Sequence, residues 1–350
     1  MSMSRHNRAV VLTALPDAEL VADLFSVVSR EVPEPSDGEV LTQTRYLSLD
    51  PVMRLRMLNE KKSGRSRSVG AVVAGRTIDV VVRSRDDRFA VGDVVLGWSG
   101  WQEYAAQPAQ SLERLDDPTR SPWVWLGALG RPGITAWLGI AHVLDVAADD
   151  TVVVSSAAGA VGSVAAQLAR HRGARVVGIA GGPQKCAWLT EHAHLDAAVN
   201  HRAADFESQL AAALPNGATA LFENVGGAVM DASLAQLRPH ARIALCGLIS
   251  QYQAEAPYAY RNFPQLLENG VSLRAFRIDD HVDLHPLAVA ELRAAWQAGR
   301  LATHETVNEG LDRAPHALID LLAGDGFGKH YVRVTDDPAP TTHGTRRKEA

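Results

Sequence analysis

The stretch from Asp150 to Cys186, DTVVVSSAAGAVGSVAAQLARHRGARVVGIAGGPQKC, constrains this chain more than any other. A continuous apolar run, Val152 to Val154, leads into a turn of small residues, Ser155-Ser156-Ala157-Ala158-Gly159. Apolar residues at Val161, Val164, Ala165 and Leu168 then recur with helical spacing. Gly173 ends that helix, and a second apolar run covers Val176 to Ile179. Strand, small-residue turn, helix, strand is one βαβ unit, which requires two parallel strands. The turn has the form of a dinucleotide-binding fingerprint, with Ala157 at the first glycine position and Gly159 and Gly162 at the other two. A missing Cβ at Gly159 lets the main chain approach a pyrophosphate, and at Gly162 it lets the helix pack closely on the strand. The free N–H groups around Ala160, Val161 and Gly162 then face the phosphates.

The end of the second strand discriminates between dinucleotides. An Asp or Glu there holds the ribose 2′-hydroxyl of NAD. This chain has Ala180-Gly181-Gly182-Pro183-Gln184-Lys185 and no acid. Gly182 leaves room and Lys185 supplies a positive charge, which favours the 2′-phosphate of NADP.

The rest of the chain narrows the class. At 350 residues, one large or two medium domains are expected. Apolar residues make up 46%, enough for a core, and 35 basic against 40 acidic residues give a net charge of −5. That balance offers no basic surface for nucleic acid. No apolar run approaches the roughly 18 residues of a membrane span. The apolar patch Ala9–Leu15 is followed by Pro16, Asp17 and Glu19 rather than by a small-residue cleavage site, so no signal peptide is expected. Cys186 and Cys246 are the only cysteines, too few for a disulfide framework or a four-cysteine zinc site. A reduced, cytoplasmic setting is the expectation.

Taken in order, residues 1–126 read as β-rich, with β-favouring runs at Ala9–Leu15, Val40–Leu49, Ala71–Val82 and Val91–Leu96 between Pro, Gly and Asp turns. No helical period is sustained there, and a small barrel-like domain is expected. Asn59 to Arg67, with Lys61, Lys62, Arg65 and Arg67, reads as a mobile polar loop or as an anion-attracting lid, the first being favoured. Residues 127–300 carry a helix after Gly127 and strand candidates at Val152–Ser155, Val176–Ile179, Ala197–Asn200, Ala220–Asn224, Ile243–Gly247 and Ser272–Phe276. Strands at that interval, with helical or loop material between them, are the pattern of a doubly wound α/β sheet. Two helical stretches are expected between Pro286 and Leu322. Residues 301–335 return to the first domain through a strand over Phe327–Val334, and the polar tail 336–350 is expected to be disordered. A cofactor cleft should lie between the two domains.

Several strings in sequence order resemble one family. They are Leu47-Ser48-Leu49-Asp50-Pro51 with Met53-Arg54, Gly100-Trp101-Gln102-Glu103-Tyr104, and Gly127-Ala128-Leu129-Gly130 leading to Pro132-Gly133-Ile134-Thr135-Ala136. After the glycine turn come Glu223-Asn224-Val225-Gly226-Gly227, Cys246-Gly247-Leu248-Ile249-Ser250-Gln251-Tyr252 and Phe327-Gly328-Lys329. Over residues 8–334 the chain resembles the zinc-independent medium-chain dehydrogenase/reductases, close to the NADPH-dependent alkenal, prostaglandin and curcumin reductases. The resemblance implies a GroES-like barrel beside a Rossmann domain, a homodimer, and hydride transfer from NADPH to the β-carbon of an α,β-unsaturated aldehyde or ketone without a metal. By motif it places Thr135, Asn224, Cys246, Gly247, Ile249 and Lys329 at the cofactor. Tyr252 becomes the candidate catalytic hydroxyl, facing the nicotinamide or the substrate carbonyl.

Five departures from the family pattern cluster on the substrate side and the 2′-phosphate side. Val52 stands where the family has Tyr, Val72-Val73-Ala74-Gly75 replaces Met-Arg-Gly-Gly, and Trp137 replaces Tyr. His201 stands for the tyrosine that helps hold the 2′-phosphate, and Gly326 for the asparagine before Phe-Gly-Lys. Rival readings are an NADPH-dependent quinone reductase and an NADPH-binding protein with little catalysis. A zinc alcohol dehydrogenase lacks its ligand cysteines.

Overall fold

The computed structural model describes residues 6–17, 19–64, 68–115, 121–254 and 256–335. The expected disordered tail, and Arg65 and Arg67 of the polar loop, lie outside the described residues.

The first part is β-rich as expected. Strands β1 (His6–Leu12) and β2 (Phe25–Glu31) form an antiparallel pair. The long β3 (Glu39–Ser48) is followed by a helix that the sequence reading did not foresee, α1 (Val52–Lys62). Only Met53, Arg54 and Met57 of α1 are buried, so its apolar face is one narrow strip and leaves little period in the sequence. Lys61 and Lys62 in its last turn favour the helix through the dipole. Then come β4 (Thr77–Ser84), β5 (Val94–Gly97), β6 (Tyr104–Pro108) and β7 (Glu113–Arg114).

Helix α2 (Arg131–Trp137) runs on through a π-helical turn, Leu138–Val143, into the second part. There the chain alternates β8 (Thr151–Ser155), α3 (Gly162–His171), β9 (Arg175–Ala180), α4 (Pro183–Glu191), β10 (Ala197–Asn200) and α5 (Phe206–Ala213). It continues with β11 (Ala218–Glu223), α6 (Gly227–Leu234), β12 (Leu237–Leu245), α7 (Gln265–Glu268), β13 (Ser272–Ala275) and α8 (His285–Gln297). All six strands are parallel, in the order β10-β9-β8-β11-β12-β13. Val152, Val153 and Val154 are fully buried at the centre, as a strand covered on both faces requires. The strand order reverses between β8 and β11, which opens a crevice at their carboxyl ends.

The chain then returns. Strand β14 (Glu305–Glu309), which the sequence reading did not foresee, precedes α9 (Ala314–Leu322) and β15 (Lys329–Arg333). The first sheet is completed as β14-β15-β3-β4-β5-β7, with β6 also on β3. Just before β15 the Gly328 N–H donates to the Ala158 carbonyl at 2.9 Å. The returning loop therefore sits on the glycine turn of the parallel sheet.

Candidate active site

A cleft of about 1050 Å³ lies between the two sheets. Its first half is built on the glycine turn. Gly159, Ala160, Val161 and Gly162 line it, together with Ser156, which holds a left-handed φ of 50°. A Cβ at Gly162 would lie 2.2 Å from the Ser156 carbonyl oxygen, so only glycine lets α3 start this close to β8. Ala157 is fully buried beneath the turn and off the wall. Its N–H donates to the Ile179 carbonyl at 2.9 Å, tying the turn to β9.

A cationic corner closes this half. Lys185, in the first turn of α4, donates from Nζ to the Gly324 carbonyl at 2.8 Å. Burial and the neighbouring Arg202 charge lower its pKa, while Asp325 acts in the other direction. His201 also lines the cleft. Burial, then Arg202 and Lys185, hold its imidazole below the usual histidine range. Arg202, which the sequence reading passed over, completes the corner, with Nη2 3.6 Å from Asp325 Oδ1. The signal available was a cation directly after His201, at the end of the strand beside β9. Gly182 caps α4 at φ 102° and donates its N–H to Asn200 Oδ1, while Gly181 provides the wall.

The other half gathers the ends of β11 and β12. Asn224 is pinned by Ser155: its N–H donates to Ser155 Oγ and its Nδ2 to the Ser155 carbonyl, both at 2.7 Å. Glu223 below it is fully buried. Its Oε1 accepts the N–H groups of Val225 at 2.5 Å and Gly226 at 2.7 Å. Burial pushes its pKa up to about 7 against those hydrogen bonds. The same burial, with Glu223 beside it, pushes the Cys246 thiol up to about 12 and keeps it protonated. Gly247 and Ile249 line the wall above. Tyr252 follows a short 3-10 turn, Ile249–Gln251, and its Oη faces the cleft 3.5 Å from the Leu248 N–H. Burial raises its pKa, so the phenol keeps its proton. Thr135 is on the wall, with its hydroxyl donated to the Arg131 carbonyl at 2.8 Å.

Lys329 departs from the expectation. It is 5% exposed and off the wall. Its Nζ donates to the Leu49 carbonyl at 2.8 Å and to Asp50 Oδ1 at 2.7 Å. Burial alone would raise the Asp50 pKa, but the Lys329 charge and hydrogen bond prevail and lower it. The family departures are accounted for unevenly. Val52 is on the wall and 42% exposed, and Gly75 is on the wall too. Trp137 turns away and donates Nε1 to Glu291 Oε2 at 2.7 Å. At Gly326 a Cβ would lie 1.4 Å from His330 Nε2, so the His330 ring fills the space of a side chain there. That imidazole is buried, with neither nitrogen hydrogen-bonded, and its pKa falls to about 4. Lys61, expected in a polar loop over Asn59–Arg67, lies instead in the last turn of α1, pairs with Asp17 and is not part of the wall.

Two family models match this chain, described as the N-terminal domain of oxidoreductase over residues 8–115 and as zinc-binding dehydrogenase over residues 160–292. The NADPH-dependent curcumin reductase of Escherichia coli is 38% identical over 339 residues, covering 95% of this chain and 98% of that protein. This chain is a medium-chain dehydrogenase/reductase. The NADP-dependent 2-alkenal reductase of Nicotiana tabacum is another relative, 36% identical over 88% of this chain and 90% of its own length. The crystal structure of CurA from Vibrio vulnificus in complex with NADPH superposes with a TM-score of 0.89 at 37% identity, covering 94% of this chain and all of that one. In this medium-chain dehydrogenase/reductase the barrel and the parallel sheet therefore meet as they do in that protein.

Proposed function

We propose that this protein is an NADPH-dependent reductase of the C=C bond of α,β-unsaturated aldehydes and ketones. The observation that carries the reading is a single cleft with two ends. One has a glycine turn and a cationic corner for a 2′-phosphorylated dinucleotide, and the other has a protonated phenol, Tyr252, over the ends of β11 and β12. Relatives named as curcumin and alkenal reductases support the substrate class. The glycine turn, from Gly159 to Gly162, would hold the pyrophosphate; Lys185, His201 and Arg202 would hold the 2′-phosphate. Asn224, Cys246, Gly247, Ile249 and Thr135 would frame the nicotinamide.

When bound, NADPH supplies a hydride. The substrate β-carbon accepts it, the C=C electron pair moves onto the carbonyl oxygen, and the α-carbon then takes a proton. One hydride and one proton are added in all. Tyr252 donates a hydrogen bond to the oxygen where charge develops, the form of stabilisation that preorganised donors give best in a dry site. Asn224, fixed by Ser155, keeps the end of β11 in place.

We read the enzyme as zinc-independent. Among the described residues, no three of His, Cys, Asp and Glu are grouped to hold a metal ion. No helix among them is long and apolar enough to cross a membrane. We read residues 1–126 with 301–335 as the barrel domain and 127–300 as the nucleotide domain. A homodimer is supported by the edge strand β13, whose four residues are all exposed.

NADPH oxidation on a panel of simple enones, enals and quinones, with product identification, tests the reading. Reduction confined to C=C bonds of enones and enals upholds it. Turnover of quinones alone replaces it with the quinone-reductase reading, and tight NADPH binding without any turnover replaces it with a binding role. Tyr252→Phe should lower kcat about a hundred-fold, the lower end for one positioned donor or acid, with NADPH affinity little changed. An unchanged kcat removes Tyr252 from the mechanism.

A further inference from the structure

The cleft is lined, away from its phosphate corner, by more positive charge than an uncharged enone requires. Arg56 on α1, Arg76 before β4, Arg131 at the start of α2 and Arg277 after β13 all face it, with Asp50 and Asp279 as the acids. Both acids are engaged. Asp50 holds Lys329 at 2.7 Å, and Asp279 holds Arg131 at 2.9 Å. Among the described residues no carboxylate lies within ion-pair distance of Arg56, Arg76 or Arg277. Glu113 acts on Arg76 only at longer range. The Arg56 charge is felt at both Asp50 and Asp279, and the Arg277 charge at Asp279, so these groups share one neighbourhood.

The geometry of two of these cations is specific. The guanidinium carbons of Arg76 and Arg56 lie 5.3 and 5.9 Å from the ring centroid of Trp98, which is itself on the wall. A guanidinium held by its face against an indole keeps its N–H edge free, and that edge matches a planar carboxylate. Arg76 Nε is buried without a hydrogen-bond partner. The dinucleotide phosphates do not account for this charge. Their cations, Lys185 and Arg202, lie beyond the ends of β9 and β10, whereas Arg277 follows β13. β13 is four strand positions from β9, about 19 Å at the usual spacing between strands.

We propose that the substrate is an α,β-unsaturated carbonyl compound bearing a carboxylate, and that Arg56 and Arg76 over Trp98, with Arg277 on the same wall, hold that carboxylate and select for it. The proposal rests on the enone-reductase reading of the same cleft. Its test compares a straight-chain enone ending in a carboxylate with its own methyl ester, in NADPH oxidation assays at low and high salt. The acid is expected to exceed the ester about ten-fold or more in kcat/KM, through KM, as loss of a charge-assisted contact implies. High salt should shrink the preference. In Arg76→Gln and in Arg277→Gln the acid-to-ester ratio should fall toward one. An ester that matches or exceeds the acid, or a ratio unmoved in both variants, overturns the proposal. Should neither compound be reduced, the enone-reductase reading fails. Calorimetric binding of the saturated keto acid against its methyl ester, with NADPH present, then decides the arginine site: a tighter acid upholds it and equal affinities overturn it.

Discussion

At the scale of single residues, the proposed phosphate corner gathers charges that follow two separate strands, β9 and β10. Lys185 is already hydrogen-bonded to the Gly324 carbonyl and lies beside Arg202. Lys185→Ala should therefore weaken NADPH by about 1.5–3 kcal/mol, the worth of a charged hydrogen bond, and NADH far less. Parallel fluorescence titrations with both cofactors check this, and equal losses refute the assignment. His201 adds a pH term. Its free-state pKa is lowered, so it is neutral near neutrality, and a bound phosphate favours the imidazolium and raises it. NADPH binding then takes up a proton, and affinity gains as pH falls through the bound-state value. The 2′-phosphate itself titrates near pH 6, so the measurement is the difference between the parent and His201→Gln across pH. A difference that does not vary with pH sinks the idea. Lys185 was legible because it directly follows the glycine-rich strand end. Arg202 was not, because its neighbourhood depends on β10 lying beside β9. Lys329 stood in a recognisable motif, but Asp50, more than 270 positions earlier in the chain, decides where its amine goes.

At the scale of elements, the central strands β8 and β9 were legible nearly to the residue, because strands buried on both faces are continuous apolar runs, whereas β12 begins at Leu237, six residues before the expected Ile243. Helix α1 was invisible because a strip of three buried residues sets no strong period. Strand β14, ETVNE, has no fully buried residue, so nothing in its composition marks it. Strand β13 has a different consequence. It ends the parallel sheet with a free edge, on which Leu273 is 40% exposed, and Leu267 just before it is 88% exposed. An open apolar edge of this kind pairs with another chain unless it is protected. Sedimentation of the parent at twice the chain mass, and a shift toward the monomer in Leu273→Lys, are the expected outcomes. A parent that sediments as a monomer at all concentrations rules out the homodimer.

Across the whole molecule, each of the two large sheets encloses one acid that resists ionisation. In the barrel, Asp79 Oδ2 accepts from Ser99 Oγ at 2.7 Å, Thr77 Oγ1 at 2.8 Å and Gln107 Nε2 at 3.1 Å, and burial still raises its pKa to about 6. In the parallel sheet, Glu223 rises to about 7. A carboxyl whose folded pKa is raised binds its proton more tightly when folded, so its contribution to stability is lost as pH rises from the unfolded value to the folded one. For Glu223 that window runs from the ordinary glutamate range to about pH 7, and the loss is on the order of 3 kcal/mol. Glu223→Gln keeps an oxygen for the Val225 and Gly226 amides. Its Tm relative to the parent should rise steadily across the window and level off above it. A Tm difference independent of pH would show that Glu223 does not titrate there.

The pairing of β15 with β3 sets the order in which the protein can be assembled. Tyr331 lies opposite Ser48, and the residues between them include the entire parallel sheet. During synthesis the barrel sheet remains incomplete until almost the last described residues emerge, whereas the nucleotide sheet has all its strands well before. The long loop closed by this pairing is slow to form, and it also brings Gly328 onto Ala158. The cleft is therefore the last part of the molecule to take shape, and a nascent chain stopped short of β15 would carry a complete glycine turn without the loop that covers it.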